Sequence, residues 1–133
     1  MNKQLAGYAC IAIAAGIVFG AFGTHGLRQL TQDASILNGY KTGVEYHLFH
    51  ALAFLIFVVL GASWLAVPLR KFAMGIICLG VLLFSGSLYL LTLFRVNGWN
   101  YAWIGPITPL GGTLLIVGWV WLAYSLLRPE RPN

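Results

Sequence analysis

The residues of this 133-residue chain whose types carry chemistry are His25, Glu45, His47, His50 and Tyr89, with Tyr46, Ser85 and Arg95 in the same stretches. His47 and His50 stand three residues apart and so share one face of a helix. With His25 and Glu45 they make a ligand set of the kind that binds zinc, but a lone HxxH without further spaced ligands is not a zinc motif. Haem needs imidazoles on opposite sides of its ring, which His47 and His50 on one face do not supply. Only His25 with His50 would, and no CxxCH is present. A histidine titrates near neutral pH, so His50, Tyr89 and Glu45 also suit a proton relay or contact with a quinone carbonyl. Ser85 and Ser87 lie in an apolar run with no nucleophile elbow around them. The simplest use of these groups is structural: hydrogen bonds among His50, Tyr89, Ser85 and the histidine-bearing end of the first apolar run, each worth about 0.6 kcal/mol between helices in a membrane. No metal, cofactor or catalytic residue is expected.

The elements that position these residues follow from composition. Apolar residues make up 59% of the chain and charged ones 8%, against roughly 25% charged in a soluble domain. A soluble globule is excluded. The charged side chains separate four uncharged runs, Gln4 to Leu27, Tyr46 to Leu69, Phe72 to Phe94 and Val96 to Leu127, each reaching the roughly 20 residues a bilayer-crossing helix needs. The expected fold is all-α and integral to the membrane. It is a four-transmembrane-helix bundle forming one domain over 1–133, with spans near 5–23, 44–67, 72–94 and 107–127.

No room remains for a soluble catalytic or DNA-binding unit. The net charge of +5 sits singly or in pairs at span ends, so nucleic acid is not an expected partner. Lys3, Arg70, Lys71, Arg128 and Arg131 collect on the side of the termini, and Arg28, Lys41 and Arg95 on the other. That bias puts both termini in the cytoplasm. The first run is too long for a signal-peptide core and is expected to stay as a span, and no Arg- and Ser-rich transit segment is present. A bacterial cytoplasmic (inner) membrane is the expected location. Cys10 and Cys78 suggest two small core residues near a reducing compartment.

Between spans, Gly23 to Gly43 carries Leu27, Leu30, Ala34 and Leu37 at helical spacing and is expected as an amphipathic outer loop, with Asp33 or Ser35 capping a helix that runs into the second span. Ala12, Gly16 and Gly20, with Thr24 continuing the row, give the first span a smooth packing face to which Gly23 adds, and Gly86, Gly111, Gly112 and Gly118 do the same later. Pro68, Arg70 and Lys71 are expected to end the second span. Cys78, Ser85 and Thr92 recur every seven residues, with Tyr89 beside them, as a polar stripe facing the bundle. Trp99, Tyr101 and Trp103 suit a headgroup-level anchor. His25, Glu45, Tyr46, His50, Ser85, Tyr89 and Arg95 then share the outer leaflet, where Glu45 and Arg95 are expected to pair across the second and third spans.

Four ordered blocks extend this reading: Gly20-Ala-Phe-Gly-Thr-His-Gly-Leu27, Glu45-Tyr-His-Leu-Phe-His-Ala-Leu-Ala53, Phe84-Ser-Gly-Ser-Leu-Tyr-Leu-Leu91, and Thr108-Pro-Leu-Gly-Gly112 followed by Gly118-Trp119. Together they resemble the YgdD/YwdK family, small four-span membrane proteins of bacteria with a mitochondrial relative in animals, catalogued as a domain of unknown function. The resemblance marks Gly20, Phe22, Gly23 and His25, then Tyr46, His50 and Ala51, then Ser85 to Tyr89, and finally Pro109, Gly111, Gly112, Gly118 and Trp119. His47 is less typical, and Thr24 stands where the family usually has alanine. The resemblance implies fold and location without a reaction. The function expected is that of a non-enzymatic accessory, assembly or scaffolding subunit, with the lipid bilayer and a membrane-protein complex or homo-oligomer as partners. The alternative is a small-ligand, quinone or proton/ion-binding protein using the His/Glu/Tyr cluster.

Overall fold

The computed structural model describes residues 3–60 and 67–128, the first four residues of the second segment by backbone alone. Residues 61–66 of the expected second span, the side chain of Arg70, and Arg131 lie outside the described residues. Five helices follow in order: α1 (Lys3–His25), α2 (Leu27–Leu30), α3 (Ala34–Val59), α4 (Val67–Val96) and α5 (Ile107–Leu127). All but α2 are long and apolar enough to cross a membrane. Among the described residues there is no strand.

The stretch expected as an amphipathic outer loop is helical over most of its length. It comprises the end of α1, all of α2 and the first ten residues of α3, with breaks at Gly26 and at 31–33. The cause is the N-cap at Asp33, whose side chain accepts from the Ser35 and Ile36 amides and starts α3 well before residue 44. Leu27 is buried against Tyr40 and Val44. At the other end α3 stops at Val59. Pro68 lies in the first turn of α4, where its missing N–H leaves no helix bond unmade. It therefore opens the third long helix instead of closing the second.

The closing residues of α4 form a Schellman motif. The Gly98 amide donates to Arg95 O, and the Trp99 amide donates to Phe94 O at 2.9 Å. Gly98 has a φ of 68°, the left-handed conformation this motif requires. Trp99 and Trp103 then fold back with their rings edge-on to Phe94. Pro106 caps α5, whose range coincides with the expected 107–127.

The helices pack in the order α1 on α3, α3 on α4 and α4 on α5. Glycine sets how close they come. A Cβ on Gly23 would stand 2.6 Å from the Tyr40 ring, one on Gly20 3.4 Å from Val44, and one on Gly16 2.6 Å from Leu48. As numbers fall along α1 they rise by fours along α3, so the two helices run antiparallel. Gly80 meets Leu115, Gly111 meets the backbone of Phe84, and Gly118 meets Ile77, which makes α4 and α5 antiparallel too.

Gly43 and Gly80 join this set although neither stood out by spacing. Gly43 lets Leu88 and Tyr89 lie against α3. Gly86 does not belong: a Cβ there meets nothing within 4 Å, because this side of α4 turns away from both neighbours. Gly112 makes only ordinary contact with the Phe84 ring. Cys10 and Cys78 are exposed and not core residues, which also takes Cys78 out of the buried stripe that keeps Ser85 and Thr92.

Two substitutions separate these roles. Gly111→Leu drives a side chain into the α4 backbone and is expected to cost about 1–3 kcal/mol by overpacking. Gly86→Ala is expected to be neutral or to gain up to about 1 kcal/mol from helix propensity. Thermal melting in detergent compares them, and equal effects from both would contradict the packing described.

Candidate functional site

Gly16 admits His47 as well as Leu48, with the imidazole Nδ1 3.7 Å from where a Gly16 Cβ would stand. Gly16 is nine residues from His25 and thirteen from Lys3, about 14 and 20 Å along the helix axis. His47 therefore lies deep in the bundle, and His50, nearly one turn further from the α1–α3 connection, lies near mid-depth. The cluster expected at one leaflet is spread along the helices. His25 is exposed at the end of α1, about 14 Å from the level of His47, so it cannot complete a ligand set with His47 and His50. Among the described residues no three His, Cys, Asp or Glu side chains are placed to hold one metal ion.

The two histidines face different neighbours. His47 Nδ1 lies 3.2 Å from the Tyr89 hydroxyl. Tyr89 packs its ring 4.8 Å from Phe19 and 5.3 Å from Tyr40, and the Tyr40 hydroxyl donates to Phe19 O at 2.8 Å. These contacts tie α1, α3 and α4 together. Tyr89 was expected to bond His50. It bonds His47 instead, since His50 is turned toward α5.

His50 sits between Tyr46 O, 2.7 Å from its Nδ1, and the Trp119 indole, whose Nε1 donates to its Nε2 at 3.1 Å. Indole nitrogen is a donor only, so Nε2 is the acceptor and the proton is on Nδ1, where it is donated to Tyr46 O. The network thus assigns one neutral tautomer, with both ring nitrogens satisfied. Tyr46 stacks on His50 and packs against Phe84, extending this contact from α3 to α4.

The polar residues nearer the α1–α3 connection form a second group. Arg95 does not pair with Glu45. It donates to Asp33 Oδ2 at 3.2 Å and to Ser35 Oγ at 2.8 Å, and its guanidinium lies 5.9 Å from the Tyr101 ring. Glu45 pairs with Lys41, one turn earlier on its own helix, at 3.6 Å. Because α3 begins at Ala34, Glu45 lies about 18 Å along the axis from Asp33 and well below the level of Arg95. The Ser35 hydroxyl and amide, with help from the Ile36 amide and Arg95, hold the exposed Asp33 carboxyl below its usual range.

Ser87 and Thr108 join α4 to α5 with a hydroxyl contact of 2.7 Å. Ser85 is 2% exposed, and its Oγ has no hydrogen-bond partner among the described residues. The Ser85 carbonyl stands 3.5 Å from a Gly43 Cβ position, a close approach of α3 and α4 at this point. Sequence reasoning missed Tyr40, Asp33 as the Arg95 partner, and the bond from Trp119 to His50. Asp33 had been singled out as a cap, and its level beside Arg95 depends on where the cap starts α3.

The chain matches the family described as "Protein of unknown function (DUF423)" over residues 19–112. It is 41% identical over 129 residues to a UPF0382 membrane protein of Haemophilus influenzae, covering 95% of this chain and 90% of that protein. It is 34% identical over 109 residues to the UPF0382 membrane protein YwdK of Bacillus subtilis, covering 82% and 84%. The UPF0382 inner membrane protein YgdD of Escherichia coli K12 is 34% identical over 122 residues, covering 86% and 82%. These names agree with the expected bacterial inner-membrane location and describe no activity. No solved structure matches.

Two measurements follow from the geometry. Trp119→Phe removes the indole donor and should cost about 0.6 kcal/mol in a detergent melt, and nitrogen NMR should show His50 as the Nδ1–H tautomer in the parent. An Nε2–H tautomer would refute the network. Asp33 has a folded pKa below its unfolded one, so its contribution is complete above the unfolded value and disappears as pH falls through the folded value. Melting of the parent should fall across that acid window relative to Asp33→Asn. Parallel curves would show that the carboxylate contributes nothing there.

Proposed function

The chain belongs to the DUF423 family of membrane proteins, and from that premise we propose that it is a non-catalytic accessory, assembly or scaffolding subunit of a larger complex in the bacterial cytoplasmic membrane. What carries the reading is how its polar side chains are used. Tyr40, His47, His50, Tyr89, Ser87, Thr108 and Trp119 each bond a neighbouring helix or a group that does, and Arg95 bonds the cap of α3. A catalytic centre needs an acid, base or nucleophile free to meet a substrate. A scaffold needs fixed helices and an apolar outer surface, and α1, α4 and α5 present large aliphatic and aromatic side chains outward. A complex or a homo-oligomer supplies partners for such faces.

The orientation proposed with this function has both termini in the cytoplasm. It is supported by the count of cations near the span ends, Lys3, Arg70, Lys71, Arg128 and Arg131 on the side of the termini against Arg28, Lys41 and Arg95 on the other. A C-terminal green fluorescent protein fusion should fluoresce and an alkaline phosphatase fusion at the same point should be inactive. The reverse pattern would invert the topology.

The subunit reading is tested by extracting the untagged full chain from its own membranes in several mild detergents and weighing it by native mass spectrometry. A stoichiometric protein partner or a defined homo-oligomer is expected. A bare monomer with bulk lipid in every detergent would argue strongly against it.

A further inference from the structure

The helix contacts leave a groove one leaflet deep on the terminal half of the bundle. Near the α1–α3 connection α1 reaches α4 through Phe19 and Tyr89. Toward the termini the two helices flank a cavity of about 360 Å³, with Leu5 to Ala12 on one wall, Met74 to Leu82 on the other, and α3 as its floor. That volume is within the range of small-ligand sites, roughly 300–1,000 Å³. Along α3 it runs from His47 to Phe57, ten residues or about 15 Å, half of the roughly 30 Å hydrocarbon core of a bilayer.

Its lining is almost entirely carbon, and the polar groups at its deep end are committed elsewhere. Both nitrogens of His50 are bonded, and His47 is held by Tyr89 and by the backbone of Ala12. A ligand with a polar ring at mid-depth would find no unmet donor there. The mouth differs: Lys71 is exposed and stands one turn before Met74 on the same face of α4. An apolar slot of one leaflet's depth with an ammonium group at its mouth complements an acyl chain beneath an anionic headgroup.

We propose that this groove holds one acyl chain of an anionic phospholipid from the leaflet on the side of the termini, with the lipid phosphate at Lys71. The inference goes beyond the subunit reading and does not require a protein partner. The probe is the full-length chain released for native mass spectrometry from nanodiscs of equal phosphatidylglycerol and phosphatidylcholine. One retained lipid per chain is expected, with phosphatidylglycerol favoured about 5-fold, the equivalent of about 1 kcal/mol for the one lysine.

Lys71→Gln alters only an exposed side chain and should bring that preference close to one. Cys78→Trp places an indole in the groove and should abolish retention while the melting temperature stays near that of the parent. No retained lipid, equal retention of the two lipids, or a preference unchanged by Lys71→Gln overturns the proposal. A neutral isoprenoid as the stoichiometric adduct from native membranes overturns it as well.

Discussion

Helices in hydrocarbon gain nothing by hiding leucine from lipid, so this structure depends on how closely two backbones approach. Gly16, Gly20 and Gly23 remove the side chains that would hold α1 away from α3, and Gly80, Gly111 and Gly118 do the same for α4 and α5. Close approach multiplies dispersion contacts that are individually small. It also fixes register. Tyr40 can stand over Gly23 only if Val44 meets Gly20 and Leu48 meets Gly16, so one axial alignment satisfies all three.

Register in turn decides which polar groups meet. With α1 and α3 aligned this way, the Tyr40 hydroxyl reaches Phe19 O and His47 comes level with Gly16. Gly43 brings α4 close enough for Tyr89 to bond His47, and the α4–α5 glycines carry Trp119 to His50. Each bond is weak by itself. A slipped register, however, would leave several of these groups without partners in a medium that offers none, so together they select one arrangement among otherwise similar apolar packings.

This explains what the sequence made legible. Four apolar runs bounded by charges yielded four long helices, and the four-residue spacing of Gly16 and Gly20 marked a true packing face. Gly86 and Gly43 show the limit: both are glycines in apolar helices, and only the neighbour's position distinguishes a contact from an open surface. The expected Glu45–Arg95 pair failed for the same kind of reason. Span ends were placed from charge, which put residue 44 at the interface, whereas the Asp33 cap starts α3 at Ala34 and brings Asp33 and Ser35 level with Arg95. His47 and His50 share a helix face in projection, yet His47 meets Tyr89 of α4 where α1 closes on α3, whereas His50 meets Trp119 of α5. Depth and partner are properties of register, and register is written in pairs of residues distant in sequence.

The groove is a consequence of the same geometry. Close packing of α1 is directed at α3, and its link to α4 is a ring contact near the α1–α3 connection at Phe19 and Tyr89. Below that contact, Ala9 and Ala12 on α1 are too short to reach Cys78 and Val81 on α4, so the space between them is left to other matter. In a bilayer an apolar space open to its side is filled by lipid, because vacuum forfeits dispersion and water finds no polar partners there. The side chains that build the α1–α3 interface by being small therefore also create the opening beside it, and a larger residue at Ala12 would narrow the groove only by disturbing the helix contact that defines its floor.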